Sequence, residues 1–193
     1  MPNFRIFTEG IGDVKFLKDY IEEVFTVTLY DEEFDTLGSW SGYKTGGILK
    51  ASIRQNTEDD KATILILDAD NNFNDRQQQV IDDFAGFNIP INLFLFPNNN
   101  NSGSLESILC ETAIEKQIIQ CFEEYEICIA GHQTLVIKSK VFAYLDALLP
   151  SANKKNDKND LIQEKNRNYR NENHWNLHHE FLNPLKEFLA PFF

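Results

Sequence analysis

The chain has 193 residues, with 18 basic and 30 acidic side chains and a formal charge of −12 at pH 7. That length suits one domain, or one domain with an appendage, and 42% hydrophobic with 25% charged content excludes disorder of the whole chain. The acidity argues against a general nucleic-acid coat, which needs a basic surface, and no apolar run approaches the ~18 residues of a membrane helix.

The opening Met1-Pro2-Asn3-Phe4-Arg5 carries no charged lead-in to an apolar stretch, so no secretory leader is expected. Cys110, Cys121 and Cys128 are an odd number without a CxxC pair. They read as reduced, half-buried thiols of a cytoplasmic protein, with Cys121 and Cys128 both turned into a helix-packed interior.

In chain order, Phe4 to Thr8 reads as a short strand ending at Glu9-Gly10. Ile11, Val14, Leu17, Ile21 and Val24 then recur at helical spacing, which predicts a helix over 12–25. Residues 26–37 read as a second strand with a turn at Asp31-Glu32-Glu33, followed by a glycine-rich loop over 38–47 and a short helix over 48–56. Ala62 to Leu67 is continuously apolar, as a central parallel strand covered on both faces should be, and it runs into Asp68-Ala69-Asp70. A polar helix over 74–85 closes at Gly86, and Ile91 to Phe96 forms another buried strand stopped by Pro97 and four asparagines. Ser104 is placed to cap a helix beginning Leu105-Glu106, with further helices over 112–124 and 139–149. Alternating strands and helices imply an α/β domain with a mainly parallel sheet over residues 1–150.

Residues 151–174 are rich in Asn, Lys, Asp and Arg and predict a polar linker or mobile loop. From Trp175 to Phe193, Leu177, Phe181, Leu182, Leu185, Phe188 and Leu189 predict an amphipathic helix that docks on the domain or on a second copy.

The acids are not scattered evenly. Glu9 follows the first strand, Asp68 and Asp70 end the third, and Glu106 opens the helix after the fourth. Strand C-terminal ends of an open parallel sheet share one edge, where ligands bind, so these residues should converge. Asp68 and Asp70, two apart in extended chain, should point the same way. Carboxylates gathered in one crevice repel each other, and a hard divalent cation resolves that conflict. The pattern therefore points to a Mg2+ or Mn2+ site acting on a phosphate-bearing substrate. Against it stand ordinary structural roles: a turn residue for Glu9 and a helix-dipole partner for Glu106.

Glu9-Gly10-Ile11-Gly12-Asp13-Val14-Lys15-Phe16-Leu17 resembles the signature that opens Toprim domains, and Ile64 to Asp70 resembles the Toprim strand ending in DxD. Phe96-Pro97 followed by Gly103-Ser104-Leu105-Glu106-Ser107-Ile108-Leu109 is similar to a segment of small stand-alone Toprim-like proteins of unknown function. These are related to the overcoming-lysogenization-defect nucleases. The resemblance covers roughly residues 3–150 and implies a Toprim-like Rossmannoid: a four-stranded, mainly parallel sheet flanked by helices, here with a C-terminal helical extension. It implies Glu9 as a catalytic acid/base and Asp68 and Asp70 as Mg2+ ligands, with Asp13 and Glu106 matching the family's further acids. The related nucleases use a late lysine, for which Lys138 and Lys140 look similar and Lys140 is preferred. The implied activity is metal-dependent nucleolytic or phosphodiester-transfer chemistry on nucleic acid, DNA ahead of RNA, with a second copy or a protein partner as further candidates. The longer DxDxD of topoisomerases is absent, since Asn71-Asn72 follows.

Other readings compete. The DxD also resembles that of nucleotide-sugar glycosyltransferases, and a Toprim-like core can serve as an inactive binding or assembly module. A dinucleotide site at Gly10-Ile11-Gly12 fails because Lys15 occupies the third glycine's place. His174 and His178 share a helical spacing without the glutamate of a zinc protease. From Lys138 to Arg170 the local balance is +4, against −16 elsewhere, so a phosphate-contacting arm remains compatible with overall acidity.

Overall fold

A computed structural model describes residues 3–38, 47–85, 90–132, 134–149 and 163–193. Residues 39–46 of the loop expected over 38–47, the Gly86 helix end and residues 151–162 of the expected polar linker lie outside the described residues.

Four strands, β1 (Phe4–Thr8), β2 (Phe34–Thr36), β3 (Ala62–Asp68) and β4 (Ile91–Phe96), form one all-parallel sheet in the order β2-β1-β3-β4. The chain is an α/β Rossmannoid, as the alternating pattern implies. The helices among the described residues are α1 (Ile11–Phe25), α2 (Gly47–Glu58), α3 (Phe73–Ala85), α4 (Leu105–Thr112), α5 (Lys116–Ile129), α6 (Ile137–Leu148) and α7 (Asn183–Leu189). The period-2 geometry of each strand splits its apolar residues between two cores. Ile6, Ile64, Ile66, Phe94 and Phe96 face one core, and Phe7, Leu65, Leu67 and Leu95 face the other. The first core is much the larger, taking in α1, α4, α6 and the C-terminal segment, while the second is closed by Ile53 of α2 and by Val80 and Phe84 of α3.

Four expectations change, three in the backbone and one at the cysteines. The second strand is shorter than 26–37: a 3-10 turn over Asp31–Glu33 precedes a three-residue β2. The helix expected over 175–193 starts late: residues 175–179 are irregular chain, and a 3-10 turn at Glu180–Leu182, the short α7 and a 3-10 turn at Ala190–Phe192 follow one another. Asn171 and Asn176 accept backbone N–H bonds from Asn173 and His178, holding local turns that compete with a helix, and Pro184 marks where the helix starts. The segment docks on its own domain: Phe193 packs its ring against Phe4 at 4.8 Å and Phe25 at 5.1 Å, and Leu185 and Leu189 are fully buried.

The third change concerns residues 163–174. They are part of the domain, with Arg167 and Tyr169 buried and a bridge from Trp175 to Ala113. Cys121 and Cys128 face outward rather than inward, and only Cys110 is half-buried. Among the described residues no helix is long and apolar enough to cross a membrane.

Candidate functional site

The sheet order puts β1 and β3 side by side at the centre. The chain leaves β1 for β2 on one side and crosses to β3 on the other, so the crevice beyond their C-terminal ends is the topological switch point. Glu9 follows β1 and Asp68 ends β3, which sets both carboxylates at that crevice.

Glu9, Asp13 and Asp68 are each held by one oxygen, and Glu106 by both. Glu9 Oε1 accepts from the Asp68 backbone N–H at 3.2 Å and from Arg76 Nη2 at 2.5 Å. Asp13, in the first turn of α1, accepts from the Gly10 N–H through Oδ2 at 2.9 Å, half of a capping box. Asp68 Oδ1 accepts from the Leu105 N–H at 3.0 Å and so caps α4 from another strand. Glu106 Oε2 accepts from the Ser104 hydroxyl at 2.7 Å, and its Oε1 lies 3.6 Å from Lys138 Nζ. Ser104 thus sits at the start of α4 as expected, but gives its hydroxyl to Glu106 rather than to the helix backbone. Among the described residues Glu9 Oε2, Asp13 Oδ1 and Asp68 Oδ2 carry no hydrogen bond. Three carboxylates therefore spend one oxygen on the fold and keep the other open.

The electrostatics follow from burial first and from the neighbouring charges second. Burial pushes the Asp68 carboxyl up to about 8, helped by the charges of Asp13, Glu9 and Glu106 and opposed by the Leu105 hydrogen bond. Burial likewise raises Asp13 to about 7, with Glu9, Glu106 and Glu164 adding to the shift. Glu9 is raised as well, by burial first, against the pull of the Arg76 guanidinium.

Asp70 departs from the expectation of a matched pair. It adopts a left-handed backbone, φ 53°, and bridges Gly103 in both directions, at 3.0 and 2.8 Å. Its side chain is 62% exposed and lies 3.8 Å from Arg76 Nε. The left-handed turn replaces the extended geometry that would have aligned it with Asp68. Gly103, at φ 142°, is required here, because a Cβ would come within 2.6 Å of Ser107 Oγ and 3.1 Å of Pro97 Cδ.

Lys140 does not face the acids. It is tied to Glu123 and Glu126 of α5, each at 3.2 Å, because one helical step of two residues turns it to the opposite side of α6. The lysine at the carboxylate edge is Lys138.

Two site residues escaped the sequence reading. Arg76 is the only basic residue in α3 and is nearly buried, a signal visible in sequence as one cation in a polar helix after an acidic strand end. Glu164 pairs with Lys138 at 3.0 Å from within the stretch read as linker, where nothing in the local pattern marks it.

Hard carboxylate oxygens suit Mg2+ or Mn2+, and the raised Asp13 and Asp68 are groups a cation would relieve. Among the described residues, however, no three Asp, Glu, His or Cys side chains are gathered closely enough to ligate one ion. Beside the edge, a groove of about 630 Å3 runs along α1 between Lys15 and Lys18 of α1, Asp35 and Thr36 of β2, and Lys165. Comparison with protein-family models, curated proteins and solved structures finds no match for this chain.

Proposed function

We propose that the chain is a metal-dependent enzyme acting on phosphodiesters of nucleic acid, as a Toprim-type nuclease would. The observation that carries the reading is the crowding at the switch point. Burial first, and then the charges of neighbouring carboxylates, push Asp13 up to about 7 and Asp68 up to about 8; each keeps an open oxygen, and Glu9 and Glu106 stand at the same edge. A fold gains no stability from crowding like charges in this way, so such groups mark sites of chemistry. Asp68 and Asp13 are the residues that would hold Mg2+ or Mn2+, which would supply charge stabilisation to a phosphate oxygen. Glu9 is the candidate acid/base, and Lys138, 53% exposed, presents an ammonium to a phosphate beside it. The groove along α1 is lined by Lys165, which has no ion pair among the described residues, and it gives a backbone phosphate a route to the edge.

The direct test is cleavage of single-stranded, nicked and supercoiled DNA with Mg2+ or Mn2+. Asp68→Asn and Glu9→Gln should each lower the rate about 100-fold or more. A thermal shift with Mn2+ should appear in the wild type and disappear in Asp68→Asn. Wild-type inactivity together with no Mn2+ shift overturns the reading, and a shift that needs a nucleotide-sugar redirects it to a glycosyltransferase.

A second reading rests on its own observation. Glu9 is engaged by Arg76, Glu106 by Lys138, and among the described residues no three acids close on one point, so the same corner could act as an ion-paired clasp in a binding module. In that case Asp68→Asn changes stability and leaves no activity to lose.

A further inference from the structure

The 3-10 turn Glu164–Asn166 lies directly on the first turn of α1. A Cβ on Gly12 would stand 2.8 Å from Glu164 Oε2 and 3.1 Å from Glu164 Cβ, so any larger residue there would displace the Glu164 side chain. Downstream the chain is pinned to the same helix. The Tyr169 N–H donates to Asp19 Oδ2 at 2.9 Å, and the buried Tyr169 ring stands edge-on to Phe16 at 5.4 Å. The Arg167 guanidinium lies 5.4 Å from the Phe142 ring of α6, and Arg170 pairs with Glu22. These contacts fix where Glu164 can be. Its carboxylate reaches Lys138 at 3.0 Å, while Glu106 holds the same ammonium at 3.6 Å from the sheet side.

We propose that Glu164 is a positioning residue, which steadies the Lys138 ammonium over the carboxylate edge once the segment 163–170 has docked on α1. An exposed lysine samples many rotamers, and a half-exposed ion pair adds little to stability. Its effect is geometric: gripped from two sides, the amine keeps one direction and leaves its open face toward the crevice. Gly12 belongs to the same device, because it clears the space that Glu164 occupies. That the steadied amine meets a phosphate rests on the function proposed above; the positioning itself does not.

The test reads Lys138 directly in the full-length chain. Lysine acylation under limiting reagent, resolved site by site by mass spectrometry, reports how freely each amine moves. Glu164→Gln should speed acylation of Lys138 roughly threefold or more, with Lys140 as an unchanged internal standard. Gly12→Ala should reproduce the effect, and the double variant should add nothing further; a far-ultraviolet spectrum and melting curve check that each variant is folded. In the DNA-cleavage assay, Glu164→Gln should raise KM more than it lowers kcat, and Glu164→Asp should restore part of the loss. An unchanged Lys138 rate in a folded Glu164→Gln overturns the positioning role even if the wild type cuts DNA. A raised Lys138 rate in a chain that never cuts DNA keeps the positioning role and removes the nuclease reading.

Discussion

At the scale of single residues, the crevice acids carry a signature that bulk measurements can read. Asp13 and Asp68 titrate near 3.8 ordinarily and at about 7 and about 8 in the fold. An acid whose pKa rises on folding binds protons more tightly in the native state, so ionising it favours the unfolded chain. Native stability should therefore fall as pH climbs from about 4 to about 8. Asp68→Asn, whose amide oxygen can still accept from the Leu105 N–H, should flatten that slope and raise the melting temperature at pH 8. Urea denaturation at pH 5.5 and 8 in the presence of a chelator checks both statements, and equal stability at the two values counts against the crowding. Glu9, Asp68 and Glu106 were legible because each follows its own apolar strand. The orientation of Asp70 was not, because a left-handed backbone at one residue reverses what extended spacing implies. Choosing Lys138 over Lys140 needed the rotation of α6, which spacing alone does not supply.

At the scale of elements, the strands were readable and the C-terminal segment was not. Continuous apolar runs such as Ile64 to Leu67 have few alternatives, because both faces must be covered. By contrast, Trp175 and Leu177 fit the helical spacing of Leu182, Leu185 and Leu189 yet bury themselves from irregular chain ahead of the helical turns. Their partners are tertiary, and Tyr144 of α6 shows how. Its hydroxyl donates to the His174 carbonyl at 2.6 Å and accepts from the Ile114 and Glu115 N–H groups at 3.1 and 3.3 Å. One side chain joins α6, the α4–α5 connection and the C-terminal segment, so no local window of sequence reveals it. Tyr144→Phe should cost about 1–3 kcal/mol, because the groups it satisfies lose their partner. Chemical denaturation measures this, and a loss below a few tenths of a kcal/mol would mean that water replaces the hydroxyl.

At the scale of the whole molecule, the sheet is covered unequally. Among the described residues, the face shared by α1, α4, α6 and the C-terminal segment holds most of the buried apolar side chains, and the face under α2 and α3 rests on eight. Regions with fewer buried apolar contacts open at lower free energy than the global transition. Native-state amide exchange should therefore release α3 and the outer face of β4 before α1 or α4. That ordering bears on the crevice, since α3 carries Arg76, the cation that engages Glu9. Each partial opening of the thinner layer withdraws the guanidinium and leaves Glu9 without its counter-charge. The lifetime of the Glu9 ion pair is then set by a breathing motion of the lesser core, and filling that core, for example by a tighter-packing substitution at Val80, would lengthen it without touching the acids.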